Sequence, residues 1–261
     1  IDTARKQIAD LIGADIDEIY FTSGGTEADN WALSASGISG GGHIITSAIE
    51  HHAVLNTCKR LESRGYKITY VPVNMNGEID PDDIKRSVRP DTKLISIMAA
   101  NNETGVIQPV KDIGRIAEEY GVLFHTDAVQ AFGSIDIDVD DMHIDMLSVS
   151  AHKHYGPKGI GALYCRKGSK IRPLINGGSQ ERNLRAGTEN TAAVVGFGEA
   201  ARLAALERSK RGSINNLRLL LESELISSIE GTAVNGGARK LPGISNIYIK
   251  GVDANALIVN L

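Results

Sequence analysis

The 261-residue chain is 42% hydrophobic and 23% charged, an ordinary globular balance at a length that buries a substantial core. Its net charge of −4 lacks the basic footprint of a nucleic-acid binder, and no apolar run approaches the ~20 residues that span a bilayer. Cys58 and Cys165, the only cysteines, form no disulfide framework and fit a reducing, cytoplasmic compartment.

The opening "IDTARKQIADLIGA" has the apolar spacing of an amphipathic helix already under way at Ile1. Seven strand-like runs follow: "EIYFTS", "HIITS", "KITYVPV", "KLISIMAA", "VLFHTDA", "DMLSVSA" and "GALYCR". Most are short and apolar, as strands covered on both faces are. Helical patterns lie between them, including Ala53 to Arg64 and Val110 to Tyr120, the latter with Val110, Ile113, Ile116 and Ala117 on one face. This alternation predicts an α/β fold with a mostly parallel sheet. Beyond Gly168, "IRPLINGGSQERNLRAGTEN" reads as a long polar loop, the kind that often carries function. Two long helices, "TAAVVGFGEAARLAALE" and "INNLRLLLESELISSI", come next, and "SNIYIKG" with "DANALIVNL" reads as the start of a smaller α/β unit. Both ends fall inside helical patterns, so the expectation is a longer protein.

Ligands of open α/β sheets bind beyond the carboxyl ends of the strands. Five polar clusters sit there. In "TSGGTEADN", Gly24 and Gly25 permit a tight turn and Thr26 is placed to cap a helix whose free N–H groups face an anion, or merely to cap it. In "EHHAVL", His51 or His52 would stack on a flat ring, bind metal or lie exposed. Neighbouring helical residues project apart and Cys58 is about two turns on, which argues against metal. "AANNETG" offers Asn101, Asn102 and Glu103, or simply a polar turn. In "HTDAVQAFG", Asp127 ends an apolar strand and needs a positive partner, from a ligand or from a lysine or arginine of the protein. In "SVSAHKHYGPKG", Ser150 and His152 are anion ligands in prospect, and Lys153 is suited to an imine with a carbonyl compound.

Pyridoxal 5′-phosphate uses all five kinds of group: a phosphate cradle, a stacking ring, hydrogen-bonding amides, a carboxylate for its ring nitrogen and a lysine for its aldehyde. The blocks "TSGGTEADN", "EHHAVL", "ANNETGVIQPV", "HTDAVQAFG", "SAHKHYGPKGIGALY" and "GGSQERNLRAGTEN" together closely resemble cysteine desulfurases of the NifS/IscS type, class V of the aminotransferase-like, fold-type I pyridoxal-phosphate enzymes. The likeness runs in order from Ile1 to "LPGISN".

The resemblance implies a seven-stranded, mostly parallel sheet with helices on both faces and an incomplete small α/β domain. It implies a large cofactor-binding domain over 1–206 without its N-terminal segment, and a connecting helix with a partial C-terminal domain over 207–261. Lys153 resembles the lysine that holds the cofactor, Asp127 the aspartate on the ring nitrogen and Gln130 the glutamine at the phenolic oxygen. His51 matches the histidine that stacks on the ring and moves protons. Thr26, Ser150 and His152 match phosphate ligands, with Gly25 donating its N–H and Asn102 beside cofactor and substrate. Thr188 of "RAGT" resembles a threonine that reaches the phosphate of the other subunit, which implies a homodimer.

The family removes sulfur from L-cysteine, leaving L-alanine and an enzyme persulfide that feeds iron–sulfur cluster assembly, tRNA thiolation or a sulfur-carrier protein. Its nucleophilic cysteine and its carboxylate-binding arginine fall C-terminal to Leu261, and neither Cys58 nor Cys165 matches that cysteine. Ser179 stands where glycine is usual, and His154 where an apolar residue is common. Related alternatives are selenocysteine lyase, cysteine sulfinate desulfinase and an aminotransferase. A non-catalytic homologue serving as a scaffold keeps no use for Lys153, Asp127, His51 and Gln130 together. A nucleotide-binding protein with "SGGTE" as its phosphate loop lacks any G-x-G-x-x-G or Walker pattern.

Overall fold

In the computed structural model, which describes residues 1–35, 41–169 and 171–260, all seven expected strands form one sheet. Helix α1 (Asp2–Ile12) leads into strand β1 (Ile19–Thr22) and helix α2 (Gly25–Ala35). Then follow β2 (His43–Ser47), α3 (His52–Glu62), β3 (Lys67–Val71), α4 (Pro81–Ser87) and β4 (Thr92–Ser96). Helix α5 (Val110–Tyr120), β5 (Leu123–Asp127), β6 (Met146–Ser150) and β7 (Gly161–Cys165) complete the sheet. The long loop leads to α6 (Thr191–Leu206) and α7 (Arg211–Ser228). A separate two-stranded antiparallel sheet of β8 (Thr232–Val234) and β9 (Ile247–Ile249) precedes α8 (Ala254–Asn260). The apolar pattern at the end of the chain runs on to Leu261, which lies outside the described residues.

The strand order is β1-β7-β6-β5-β4-β2-β3. Strands β3, β2, β4, β5 and β6 run parallel, whereas β7 is antiparallel to both its neighbours. The carboxyl ends of β1, β2, β4, β5 and β6 therefore open at one edge of the sheet, where ligands of such sheets bind.

Side chains alternate between two cores, as the period of two along a strand requires. Ile45, Ile95, Phe124 and Leu147 join α1, α5 and α6 on one face. Ile44, Leu94 and Met146 join α2 and α3 on the other, around the fully buried Trp31. His125 and Asp127 are offset by one and three from Phe124, which sets them on the α2 face. Among the described residues, no helix is long and apolar enough to cross a membrane.

The polar loop after Gly168 is tied down by charge. Arg5 of α1 donates two 2.8 Å hydrogen bonds to the Glu181 carboxylate, which also accepts from the Phe21 N–H at 2.8 Å. Glu181, Arg182 and Asn183 all have left-handed backbone, with φ of 44°, 56° and 65°. For residues with a Cβ this conformation is strained, and the buried ion pair helps hold it in place. Of the two departures from the family pattern, His154 packs as a buried ring, edge-on to Phe132, with Nε2 bonded to the Val129 carbonyl.

Candidate cofactor site

A cavity of about 540 Å³ opens at the carboxyl edge of the sheet. One of its walls is the start of α2. Gly25 is the first helical residue, so Thr26 lies in the first turn and is not the cap that the sequence suggested. The helix starts two residues earlier than a Thr26 cap implies, with Gly24 accepting the Ala28 N–H, and the first position admits only a residue without a side chain: a Cβ on Gly25 would lie 2.5 Å from Val129 Cγ2 and 3.6 Å from Ser150 Cβ. The N-terminal N–H groups of α2 and the Thr26 hydroxyl consequently face the cavity as anion donors.

The opposite rim comes from the end of β6 and the 3-10 turn Ala151–His154. Ser150 Oγ lies 2.8 Å from His152 Nδ1. Burial, with the nearby cations of Lys153 and Lys158, holds the His152 imidazole below its ordinary pKa. Lys153 is exposed to the cavity and has no ion-pair partner among the described residues.

The floor is acidic. Asp127 is 6% exposed, and its Oδ1 accepts the Val129 N–H at 2.9 Å. Burial pushes its carboxyl above the usual range, while the Val129 N–H and the His51 charge pull it back. No lysine or arginine pairs with it among the described residues, which leaves the positive partner to a ligand. Gln130 follows in the same turn and lines the cavity.

His51 caps α3, its Nδ1 accepting the Ala53 N–H at 3.1 Å, which leaves Nε2 for the cavity. His52 does not line this cavity. Asn101 is the turn-former of "NNETG": its side-chain oxygen accepts from Glu103 N, Thr104 N and Thr104 Oγ1, and its neighbour Asn102 reaches the cavity.

Thus Gly25, Thr26, His51, Asn102, Asp127, Gln130, Ser150, His152 and Lys153 meet around one space. Thr188 does not; it is exposed on the polar loop. Arg185 holds that loop to α2 through Glu27, with Nε 2.9 Å from Oε1. Sequence reasoning missed Asp29, Val129 and Lys158, which also line the cavity. For Asp29 a signal existed: a carboxylate four residues after Gly25 falls on the same face of α2.

The aminotransferase class-V family matches residues 1–261. The chain belongs to this family. It is 50% identical over 266 residues to a protein named cysteine desulfurase IscS from Dictyoglomus turgidum, covering 100% of this chain and 68% of that one. A protein of the same name from Methanosarcina thermophila is also 50% identical, over 100% of this chain and 66% of its own length. The chain thus spans about two thirds of these relatives. Among solved structures, a NifS-like protein superposes with a TM-score of 0.94 at 40% identity, over 98% of this chain and 72% of that one. A structure described as SspA in complex with cysteine gives 0.87 at 41% identity, over 99% and 74%.

Pyridoxal 5′-phosphate is the cofactor of this family, and the residues present fit it. The first turn of α2 at Gly25 and Thr26, which lines the cavity, suits a phosphate. The buried, cation-free Asp127 suits a protonated ring nitrogen. Lys153 is the amine within reach of the same space.

Proposed function

We propose that this chain supplies the cofactor site of a cysteine desulfurase, which removes sulfur from L-cysteine, leaves L-alanine and passes the sulfur on as a persulfide. The observation that carries this reading is the convergence of Lys153, Asp127 and the α2 anion cradle on one cavity, in a chain 50% identical along its whole length to a protein of that name.

Lys153 holds the aldehyde carbon of the cofactor. Asp127 holds the proton on its ring nitrogen, and Gln130 hydrogen-bonds its phenolic oxygen. Gly25 N–H, Thr26, Ser150 and His152 hold its phosphate. His51 would lie against the ring and take part in moving protons, offering its Nε2–H while Nδ1 accepts the Ala53 N–H. Asn102 stands beside cofactor and substrate. When bound, the cofactor supplies an electron sink for the substrate's reacting carbon. A carboxylate kept ionised against burial is what makes that sink effective, because it favours the protonated ring.

The thiolate that takes the sulfur is neither Cys58 nor Cys165. Both are buried outside the cavity, and burial pushes each thiol up to about 12. A nucleophilic thiol needs the opposite shift. The reading assigns that cysteine, and the arginine for the substrate carboxylate, to residues outside these 261. Thr188, exposed and away from its own cavity, reaches the phosphate in a second copy of a homodimer. The acceptor is an iron–sulfur scaffold, a tRNA-thiolation system or another sulfur carrier in the cytoplasm, a compartment that suits two free, buried thiols.

The experiment is sulfide and alanine release from L-cysteine by the full-length protein. Equal yields of both products are expected. Turnover of selenocysteine or cysteine sulfinate alone would assign the chain to another branch of the class.

A further inference from the structure

Asp29 is a second buried carboxylate in the cofactor cavity, and nothing above gives it work. It is 1% exposed, lines the cavity, and its Oδ1 has no hydrogen-bond partner. A carboxylate oxygen left without a partner in such a place is costly to the fold.

Its surroundings are ordered by the sheet. His125 lies two residues before Asp127 on β5 and shares its face. Its Nδ1 lies 2.8 Å from Ser96 Oγ on β4, and its Nε2 lies 2.9 Å from Ser148 Oγ on β6. The same Nε2 is 3.7 Å from Asp29 Oδ1. Ser148 is in turn the register partner of Asp127. Burial depresses the His125 pKa to about 3, so the ring is neutral and carries one proton.

That proton has two places, and each suits one form of Asp29. With Nε2 protonated, Ser96 donates to Nδ1, Nε2–H donates to Ser148 Oγ, and the Ser148 hydroxyl is free to donate to an Asp29 anion. With Nδ1 protonated, it donates to Ser96 and Ser148 donates to Nε2, which leaves Asp29 with no donor and favours its neutral form. The two tautomers of His125, with the hydroxyl orientations each imposes on Ser96 and Ser148, thus match the two charge states of Asp29.

Burial, together with the charges of Asp127 and Glu50, pushes the Asp29 carboxyl well above its usual range, while the Ser148 hydroxyl pulls it back. His51 acts on Asp127 in the opposite sense. Three buried acids therefore meet with no lysine or arginine paired to them among the described residues. A cation brought to Asp127 relieves the whole group, not one member alone.

We propose that Asp29 is a positioning residue acting through Asp127: its carboxylate, steered by the Ser148–His125–Ser96 chain, adds to the field that keeps the cofactor's ring nitrogen protonated. This rests on the reading of Asp127 under the proposed function.

The test is the NMR shift of the isotope-labelled ring nitrogen, followed against pH in cofactor-loaded wild type, Asp29→Asn and Ser148→Ala. Asp29→Asn is expected to lower the pH at which the ring nitrogen loses its proton by on the order of one unit. Ser148→Ala, which removes the donor to an ionised Asp29, is expected to lower it by less, and carries the same test should Asp29→Asn not fold. A midpoint equal to wild type in the folded variants overturns the proposal. A wild type that takes up no cofactor overturns the reading of the cavity instead.

Discussion

Gly25 and Val129 approach so closely that a Cβ on Gly25 would lie 2.5 Å from Val129 Cγ2. The start of α2 is thereby pressed against the turn that follows Asp127, and the first turn of α2 and the Asp127 turn share one contact. Gly25→Ala must move one against the other. Overpacking of this kind costs about 1–3 kcal/mol. The expected result is a loss of cofactor affinity on the order of 10-fold or more, read from a fluorescence titration. Unchanged affinity would mean that the contact yields freely.

The two cysteines provide a check on the source of the thiolate. Both thiols are buried and pushed up to about 12. A thiol reagent at neutral pH is expected to modify neither Cys58 nor Cys165 in the folded chain, and both after denaturation. Replacing both by alanine should leave cofactor uptake in place. Rapid modification of either one in the native protein would reopen its role.

The Arg5–Glu181 pair joins α1 to the loop that carries Thr188. Glu181→Ala strands a buried guanidinium and frees the Phe21 N–H, which are expected to cost about 3 kcal/mol or more in chemical denaturation. Removing Arg5 as well, as Arg5→Met/Glu181→Ala, should recover part of the loss, because no buried charge is then left alone. A single variant as stable as wild type would show the loop to be held by other contacts.

Glu50 sets a pH dependence whose sign is opposite to that of an ordinary paired carboxylate. Burial, opposed by the Ser47 hydroxyl and the Met98 N–H, pushes its carboxyl up to about 8. The folded chain therefore binds this proton more tightly than the unfolded chain. The resulting stability is present below the unfolded value of about 4.5 and is lost as pH rises through about 8, at roughly 1.4 kcal/mol per unit. Glu50→Gln keeps the neutral shape. Its stability relative to wild type is expected to improve steadily over that window, and a difference independent of pH would contradict the assignment.

Much of this arrangement was legible in the sequence. The seven short apolar runs became the seven strands because strands covered on both faces leave a plain apolar signature. Lys153, Asp127 and His51 stood out because each ends a strand or follows one closely, and the sheet topology then gathers strand ends. What stayed hidden depends on packing across elements. The cap lies at Gly24, two residues before Thr26, and the contact with Val129 and Ser150 that requires glycine at the start of α2 leaves no local signal. Asp29 and His125 gained meaning only when α2 was laid on β5 and β6. The left-handed run at Glu181, Arg182 and Asn183 has no glycine to announce it, because a buried ion pair helps hold it there.

The central claim is that Lys153 holds pyridoxal 5′-phosphate in the cavity that Asp127 also lines. It is tested most directly by the visible absorbance of the protein after cofactor addition and removal of excess, in wild type and Lys153→Ala. Wild type is expected to keep a visible band that resists gel filtration, and Lys153→Ala to lose it or to show the spectrum of non-covalently held aldehyde. The same band in both proteins would remove Lys153 from its role.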